Sequence, residues 1–202
     1  STPAIDETGN YRFENIAPGS YRVREVLQPG WRATAPAIGS YLVSSADPAI
    51  TGVVFGNVQT VSITGTKWQD RRADGTRQLY DNLPTGLQGD TGLAGWTIYL
   101  DRNNNGVLDR LLGIPLEPVA VTQADNPATP ENEAGRYAFN NLLPGDYVVR
   151  EEMSPGWVQS LPGAKALVSH ALSLSPGDVV HGLDFANAQE VSISGRKWLD
   201  AN

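Results

Sequence analysis

The sequence predicts an all-β protein made of tandem immunoglobulin-like β-sandwiches, and three observations carry this prediction. Twenty-one glycines and fourteen prolines are scattered along the 202 residues, which suits short strands joined by turns better than long helices. Several stretches alternate large apolar residues with small or polar ones, which is the period of a β-strand. Blocks of sequence also recur in the same order along the chain, which indicates a repeated domain.

The repeat is visible in two pairs of matching segments. "NYRFENIAPGSYRVREVLQPGW" (10–31) recurs as "RYAFNNLLPGDYVVREEMSPGW" (136–157), and "GVVFGNVQTVSITGTKWQD" (52–70) recurs as "GLDFANAQEVSISGRKWLD" (182–200), at offsets of 126 and 130 residues. We therefore expect the C-terminal part of one repeat in residues 1–60, a complete repeat in 61–190, and the first strand of a further repeat in 191–202. Either the chain is an excerpt from a longer tandem array, or it is a self-assembling subunit whose ends complete domains in adjacent copies.

Within the complete repeat, the strands are predicted where the alternation is clearest. In chain order these stretches are "VSITGTKW", "GWTIYLD", "RYAFNNL", "DYVVREE", "KALVSHALSL" and "HGLDFANAQ", separated by turns rich in Pro, Gly or Asn. Pro-Gly in "LLPGDY" and "IAPGSY" marks tight turns between strands, because Pro fixes φ and Gly accepts a positive φ. About seven short strands per repeat is the pattern of an immunoglobulin-like sandwich.

Composition excludes several classes of function. The formal net charge is -7 with only 15 Lys and Arg residues, so we expect no nucleic-acid partner. There is no cysteine, hence no disulfide or thiolate chemistry. No apolar run approaches the roughly 18 residues of a membrane span, so no membrane insertion is expected in this segment. If the protein is exported, its targeting and anchoring segments lie outside this chain.

The stretch "YLDRNNNGVLDR" (99–110) has the oxygen spacing of a calcium loop. Side-chain oxygens fall at positions 1, 3, 5 and 9, a backbone carbonyl falls at position 7 and Gly106 stands at position 6; the ligands so predicted are Asp101, Asn103, Asn105, Asp109 and the carbonyl of Val107. Position 12 is Leu112 instead of a bidentate Glu, so one strong ligand must come from elsewhere or the affinity is weaker. The loop follows the strand "WTIYL", so it is carried on strands. The alternative is an ordinary Asn-rich turn.

A second acidic cluster occurs in "QDRRADGTRQLYDNLPTGLQGDTGLAG". It offers four carboxylates to a metal, Asp70, Asp74, Asp81 and Asp90. Arg72 stands at the third position from Asp70, where a cation opposes a metal ion, so a metal site and a solvated loop remain alternatives. Near the end of the chain, Asp200 and Asn202 restore the spacing that Arg72 interrupts.

Three strands of the complete repeat each direct one polar residue toward the core face. Lys67 shares a face with Ile63, Glu151 with Val149, and Asn187 with Phe185. Burial lowers the pKa of a lysine toward the neutral amine, which could attack the amide carbon of Asn187 with Glu151 moving protons. The result is an intramolecular isopeptide bond and ammonia, a single self-modification. The alternatives are a non-covalent Lys–Glu pair hydrogen-bonded to the Asn, and a lysine at a strand edge whose ammonium group extends to solvent.

The remaining residues support no turnover enzyme. His170 and His181 lack neighbouring zinc ligands, and no nucleophile elbow or phosphate-binding glycine loop occurs. Four tryptophans recur at matching positions, in "PGW" (Trp31, Trp157) and in "KW" (Trp68, Trp198). We expect them to pack in the core or against turns; exposed and coplanar, they would favour a carbohydrate-binding module.

With the segments "GTKWQD", "TGLAGWTIYLDRNNNGVLD" and "GRYAFNNLLPGDYVVREEMSPGW" assembled, the whole chain resembles the SdrD B-like domains of bacterial surface proteins, relatives of the Cna B-type domains. The resemblance implies prealbumin-like β-sandwich stalk modules, often in tandem, on an extracellular bacterial surface. It implies Ca²⁺ in the loop at Asp101, Asn103, Asn105 and Asp109, and an isopeptide trio at Lys67, Glu151 and Asn187. The first acidic loop departs from the family's compact form, and "NPATPENEA" interrupts the segment before Gly135.

These observations predict a structural repeat module of a bacterial cell-surface stalk or extracellular filament, stiffened by Ca²⁺ and by isopeptide bonds. Its expected partners are adjacent copies of the same repeat. The alternative is an adhesin module that binds a carbohydrate or a host protein through a surface that the sequence leaves unidentified.

Overall fold

The structure is a computed structural model that describes residues 9–44, 50–79, 88–163 and 169–198. Every regular element within these ranges is a β-strand, which confirms the predicted all-β class. The chain divides into two compact units, Ser1–Val58 and Gln59–Asn202. The predicted residues Asp81, Asp200 and Asn202 lie outside the described ranges. No helix within these ranges is long and apolar enough to cross a membrane.

The first unit contains four short strands: β1 (Ser20–Val23), β2 (Trp31–Ala35), β3 (Tyr41–Ser44) and β4 (Gly56–Gln59). They form two separate two-stranded sheets, β1 with β3 and β2 with β4. β1 runs antiparallel to β3, with Ser20 opposite Ser44 and Val23 opposite Tyr41.

The second unit contains eleven strands in the described residues. They are β5 (Val61–Gln69), β6 (Thr97–Leu100), β7 (Arg110–Leu111), β8 (Ile114–Pro115), β9 (Val119–Val121), β10 (Arg136–Leu142), β11 (Gly145–Glu151), β12 (Trp157–Leu161), β13 (His170–Leu174), β14 (Val179–Val180) and β15 (Phe185–Gln189). The sequence predicted about seven. β7, β8 and β14 have two residues each, which is too short to show an alternating period.

Two sheets form the sandwich of the second unit. One has the order β10-β5-β15-β12, with β14 also pairing to β5, and the other has the order β13-β11-β6-β9. β5 runs antiparallel to β10 but parallel to β15, so the first and last strands of the repeat lie side by side. The predicted β-sandwich is confirmed.

The core lies between the two sheets and follows from the alternation along their strands. Val61 and Ile63 on β5 are fully buried, and they join aromatic and aliphatic residues from both sheets: Ile98, Leu100, Tyr137, Phe139, Val149, Leu174, Leu183 and Phe185. At Gly65, a Cβ atom would lie 2.1 Å from the carbonyl oxygen of Leu183. Glycine is therefore required on β5, because any side chain would push this strand out of the sheet.

Candidate functional site

The three polar residues predicted to face the core come from three strands and two sheets. Lys67 lies opposite Phe185 on the parallel β5–β15 pair, and Asn187 lies opposite Gln69, so Lys67 and Asn187 share a face two positions apart. Glu151 ends β11 in the facing sheet, opposite Ile98. The exposed fractions are 0% for Lys67, 4% for Glu151 and 0% for Asn187. The fold thus brings the predicted trio into one closed part of the core.

The trio is connected by direct contacts. The Lys67 ammonium forms an ion pair with Glu151 Oε2 and lies 4.5 Å from the centre of the Trp96 ring. The Asn187 amide lies close enough to Glu151 to affect the pKa of that carboxyl group, and its Nδ2 donates to Met153 Sδ at 3.7 Å. The amine, the carboxyl group and the amide are therefore neighbours, and the Trp96 ring and the Met153 thioether contact them.

Burial acts on both members of the ion pair. Burial lowers the pKa of Lys67 to about 8, although the charge of Glu151 and its hydrogen bond act in the opposite direction. Burial raises the pKa of Glu151, while the charge and proximity of the Lys67 ammonium and the nearby Asn187 amide oppose the rise. The neutral amine and the neutral carboxyl group are therefore closer in free energy to the ion pair than they are in water.

The first unit repeats two members of the trio on its surface. Asn57 Nδ2 donates to Glu25 Oε2 at 2.6 Å, and Asn57 itself is exposed. No lysine occurs in residues 1–60. The Glu–Asn contact thus forms in the first unit, although residues 1–60 contain no lysine.

The candidate calcium loop starts at the end of β6, and its first residue is anchored by backbone donors. Asp101 is 3% exposed; its Oδ1 accepts from Asn105 N at 3.1 Å and its Oδ2 accepts from Gly106 N at 2.8 Å. Gly106 has φ of 80°, which favours glycine at the point where the chain reverses. The loop therefore curls around its own first carboxylate.

The other predicted ligands lie around the same turn. Asn103 Oδ1 accepts from Asn105 N at 3.1 Å, and Asn105 Oδ1 accepts from Val107 N at 2.8 Å. The side-chain amides of Asn103 and Asn105 donate to Asp109 at 2.8 and 3.2 Å. The structure thus brings together the four predicted side-chain ligands, with Val107 next to them.

Two residues beside the loop were missed by the sequence reasoning. Arg150 Nε donates to Asp101 Oδ2 at 2.7 Å, and another nitrogen of the same guanidinium donates to Asn104 Oδ1 at 2.8 Å. Glu117, which is 7% exposed, accepts from Arg102 N at 2.8 Å and from Asp109 N at 3.2 Å. Glu117 fits the expectation of a carboxylate from outside the loop, and its place in "PLEPVA" carries no motif that would identify it.

The pKa of the Asp101 carboxyl group depends on opposing effects of burial and hydrogen bonding. Burial by itself would raise the pKa of this carboxyl group, but hydrogen bonds from Gly106, Arg150 and Asn105 and the Arg150 charge hold the pKa below its ordinary value. The donor set consists of carboxylate and amide oxygens, with no nitrogen or sulfur ligand. Such a set fits a hard cation such as Ca²⁺.

In the second predicted cluster, Gln78 contacts two of the carboxylates: its backbone N donates to Asp90 Oδ2 at 2.6 Å and its Nε2 donates to Asp74 Oδ2 at 3.3 Å. Asp70 accepts from Arg72 N and Gly75 N at 3.1 and 2.7 Å, and Asp90 accepts from Arg71 N and Gln78 N at 3.0 and 2.6 Å. Asp74 is exposed and accepts from Thr76 N at 2.9 Å. All three carboxylates therefore accept hydrogen bonds from backbone N–H groups of the described parts of the loop. Within the described ranges, no three His, Asp or Glu side chains gather as a metal cluster. A metal at this loop stays a prediction.

The tryptophans divide between the core and the surface. Trp68 is buried, while Trp157 is half-buried and its ring meets Trp96 edge to face at 5.5 Å and 88°. Trp31 and Trp198 are exposed by 41% and 75%. Because the paired rings of Trp96 and Trp157 are perpendicular, they do not offer the flat platform that sugar stacking uses.

No protein-family profile matches the chain. Among curated proteins, Colossin-A of Dictyostelium discoideum is 26% identical over 152 residues, covering 72% of this chain and 1% of that protein. Serine-aspartate repeat-containing protein F of Staphylococcus epidermidis is 24% identical over 162 residues, covering 79% and 9%. Serine-aspartate repeat-containing protein C of Staphylococcus aureus (strain Newman) is 26% identical over 158 residues, covering 77% and 15%. The chain spans a small part of each relative.

Among solved structures, the minor pilin GBS52 of Streptococcus agalactiae has a TM-score of 0.38 at 15% identity, covering 92% of this chain and 66% of that chain. A streptococcal ancillary pilin has a TM-score of 0.36 at 18% identity, covering 87% and 43%.

The predicted resemblance to the B-type repeats of bacterial surface proteins is confirmed by the serine-aspartate repeat relatives. The predicted extracellular location at a bacterial cell surface is confirmed by the same comparisons. The serine-aspartate repeat relatives support the coarser expectation of a structural cell-surface repeat module.

Proposed function

We propose that the chain is a load-bearing repeat module whose complete unit carries an isopeptide bond between Lys67 and Asn187 and a Ca²⁺ ion in the loop at 101–109. The observation that carries the proposal is the buried contact of Lys67, Glu151 and Asn187. A lysine without exposure is costly to keep charged, and here it lies beside a carboxyl group and an amide on the adjacent strand. Adjacent copies of the repeat are the expected partners.

The bond forms by amide exchange. The neutral amine of Lys67 attacks Cγ of Asn187, so a bond forms between Lys67 Nζ and Asn187 Cγ. Glu151 accepts the proton that the attacking nitrogen loses and passes it to Nδ2 of Asn187. The bond between Cγ and Nδ2 then breaks and ammonia leaves. Burial excludes water, which would otherwise compete with the amine for the same carbon.

The bond would stiffen the module because of where it lies. It joins β5 to β15, the first and last strands of the repeat, which already pair in parallel. It closes a loop of about 120 residues, which corresponds to about 4 to 5 kcal/mol of lost unfolded-chain entropy by the estimate used for disulfides. A pull on the two ends of the repeat then passes through one covalent link instead of the whole sandwich.

Intact mass of the purified chain tests the isopeptide proposal. We expect a mass about 17 Da below the sequence mass, from the loss of one ammonia per complete repeat. Glu151→Gln and Lys67→Arg should both restore the full mass. Asn57→Ala, which removes the matching residue of the first unit, serves as the control and should still show the loss of one ammonia. If the chain without substitutions has the full sequence mass, the proposal is contradicted.

The calcium proposal assigns Asp101, Asn103, Asn105, Asp109 and the carbonyl of Val107 as ligands. Ca²⁺ bound there would fix the loop between β6 and the β7–β8 hairpin and neutralise carboxylates that now depend on backbone and Arg150 donors. Because Leu112 stands at position 12, we expect weaker binding than in loops that end with a bidentate Glu.

Thermal unfolding with CaCl₂ or EGTA tests the calcium proposal. A ligand that binds only the native state stabilises by about 2.7 kcal/mol at one hundred times its Kd, so the midpoint should rise with CaCl₂. Asp109→Asn should remove most of this rise. Asp146→Asn, which changes an exposed carboxylate on β11 outside both predicted metal loops, is the control and should keep it. An unchanged midpoint at millimolar calcium would rule the site out.

A further inference from the structure

Arg150 reaches the loop at 101–109 from the outer face of the sheet. It lies on β11 opposite Tyr99 of β6, and its neighbours Val149 and Glu151 are buried in the core. Because side chains alternate along a strand, Arg150 points away from that core. Its side chain is nevertheless only 13% exposed, since it packs against the loop that follows β6.

The guanidinium of Arg150 joins two parts of the loop. Nε donates to Asp101 Oδ2 at 2.7 Å, and another nitrogen of the group donates to Asn104 Oδ1 at 2.8 Å. Asp101 is the first residue of the loop and a predicted Ca²⁺ ligand, whereas Asn104 stands at position 4, which is not in the predicted ligand set. A planar guanidinium presents its donors in a fixed geometry, so it holds both oxygens at once. Arg150 therefore ties the start of the loop to its turn.

Asn104 is the residue at which the loop needs such support. Its φ is 54°, in the left-handed region that costs free energy for residues other than glycine, although asparagine tolerates it better than most. The next two residues, Asn105 and Gly106, donate their backbone N–H groups to Asp101 at 3.1 and 2.8 Å. The turn at Asn104 thus directs both N–H groups back to Asp101, and Arg150 holds that turn from the adjacent strand.

The charge of Arg150 suits the burial of Asp101. The Asp101 side chain is 0% exposed, and a carboxylate without solvent needs a partner of opposite charge. A guanidinium stays protonated in proteins, and this one is attached to β11, so its charge is present at every calcium concentration. The buried start of the loop therefore does not depend on a metal ion for its counter-charge.

The other end of the loop is held by neutral donors. Asp109 accepts from the side-chain amides of Asn103 and Asn105 at 2.8 and 3.2 Å. Val107 N donates to the Asn105 side chain at 2.8 Å, and Asp109 N donates to Glu117 at 3.2 Å. Asn105 is exposed and Asp109 is half-buried. Hydrogen bonds from neutral donors near solvent are weaker than those of a charged and buried pair, so this end is the looser one.

We propose that Arg150 is a positioning residue that keeps residues 101–106 folded with or without Ca²⁺, and that Ca²⁺ acts mainly on residues 107–109. The effect assigned to Ca²⁺ rests on the calcium site of the proposed function, whereas the role of Arg150 does not. The module then keeps the shape of the first half of the loop when calcium is scarce, and gains order in the second half when calcium is plentiful.

Amide hydrogen exchange of the full chain, measured residue by residue by NMR in EGTA and in CaCl₂, tests the proposal. Without substitutions, the amides of Asn105 and Gly106 should be protected in EGTA, and CaCl₂ should slow their exchange by less than about threefold. The amides of Val107 and Asp109 should slow by about tenfold or more in CaCl₂, because a ligand that binds the folded loop opposes its opening.

Arg150→Met removes both donors at a similar side-chain length. In EGTA, exchange at Asn105 and Gly106 should become at least about tenfold faster, since two hydrogen bonds of a charged group are lost, and CaCl₂ should restore the protection. Arg150→Lys keeps the charge without the planar group, so the same two amides should exchange about threefold faster in EGTA.

Arg24→Met is the matched control, because Arg24 is exposed and stands at the same position of a "VRE" motif in the first unit. It should change exchange in neither half of the loop. The backbone amide of Lys67, which donates to the carbonyl of Gly135 at 2.8 Å, reports whether each variant is folded. If Arg150→Met loses this protection as well, Arg150→Lys decides the outcome.

The role of Arg150 is overturned if Asn105 and Gly106 exchange freely in EGTA before any substitution, or if Arg150→Met leaves their exchange unchanged. It is also overturned if CaCl₂ slows these two amides more than about tenfold in the chain without substitutions. Faster exchange in Arg150→Met that CaCl₂ does not reverse supports the role of Arg150 and overturns the calcium site. Exchange at Val107 and Asp109 that ignores CaCl₂ overturns the effect assigned to Ca²⁺.

Discussion

Tyr137 and Tyr11 stand at the same position of one repeated motif, yet Tyr137 is 3% exposed and Tyr11 is 49% exposed. Both donate their hydroxyl to the carbonyl of the residue two positions before a matching Phe, Leu183 before Phe185 and Val53 before Phe55. Their local contacts are therefore alike, and the difference is the strand beside them. In the second unit β5 pairs with β10, and in the described part of the first unit nothing pairs with 10–16.

The comparison shows that one strand converts a set of surface residues into a core. β5 supplies Val61 and Ile63 to the apolar cluster and Lys67 to the polar trio, and it also contacts both β10 and β15. Without such a strand, Glu25 and Asn57 still meet, but at the surface. The burial of the Lys67, Glu151 and Asn187 trio thus depends on β5 more than on the residues around it.

The largest expected effect follows from removing the β5 lysine. In an Asn187→Ala background, where no cross-link can form, Lys67→Met leaves Glu151 buried without its cation, so the free energy of unfolding should fall by about 3 to 5 kcal/mol in chemical denaturation. The double variant Lys67→Met with Glu151→Leu should recover much of this loss, because no unpaired charge remains. In the first unit, where the pair is at the surface, Asn57→Ala should change stability little. An equal loss from Lys67→Met and Asn57→Ala would remove the contrast between the units.

Measuring the free energy of unfolding against pH tests the burial of the Lys67 amine. In Asn187→Ala no cross-link can form, and the pKa of Lys67 is lowered to about 8 from an ordinary 10.5. Between these values the unfolded chain binds more protons than the folded chain, so stability should rise from pH 8 to 10.5 relative to the unmodified chain, by up to about 3 kcal/mol. Below pH 8 the lysine is protonated in both states and contributes no slope. If Lys67 carries the proposed isopeptide bond, the unmutated chain should lack this rise, since an amide nitrogen does not titrate. Parallel curves for the two chains would refute the assignment.

Matched glycine substitutions compare β5, which is paired on both sides, with the exposed residues 191–198. Gly65→Ala places a Cβ 2.1 Å from Leu183 O and should destabilise the second unit by about 2 to 3 kcal/mol, measured by denaturant midpoint. At Gly195 an added Cβ would meet no atom within 4 Å, so Gly195→Ala should change the free energy of unfolding by less than about 0.5 kcal/mol. A similar loss for both variants would mean that residue 195 is packed as closely as residue 65.

The smallest expected difference concerns the two tyrosines. Tyr137→Phe removes a buried donor to Leu183 O and should cost about 1 to 2 kcal/mol in the unfolding of the second unit. Tyr11→Phe removes an exposed donor to Val53 O, whose carbonyl water can satisfy, and should cost less than about 0.5 kcal/mol. Calorimetry of both variants measures the difference, and equal losses would contradict the greater burial of Tyr137.

The sequence by itself determined the class of fold, the repeat and the identity of the candidate groups. Strand alternation depends on neighbours two residues apart, and the repeat depends on comparing the chain with itself, so neither needs a structure. The spacing of Asp101, Asn103, Asn105 and Asp109 is likewise local, because all four lie in one turn. Lys67, Glu151 and Asn187 were identifiable because each stands among core residues on its own strand.

Only the tertiary structure decided which distant groups meet. The parallel pairing of β5 with β15 places Lys67 diagonal to Asn187, and nothing in either strand encodes that register. Arg150 and Glu117 reach the loop at 101–109 from β11 and from the segment before β9, across sequence distances that no motif spans. The physical reason is that burial and charge pairing belong to the packed sheets: residues of the same type are buried at 63 and exposed at 193 because one strand has neighbours on both sides and the other has none described.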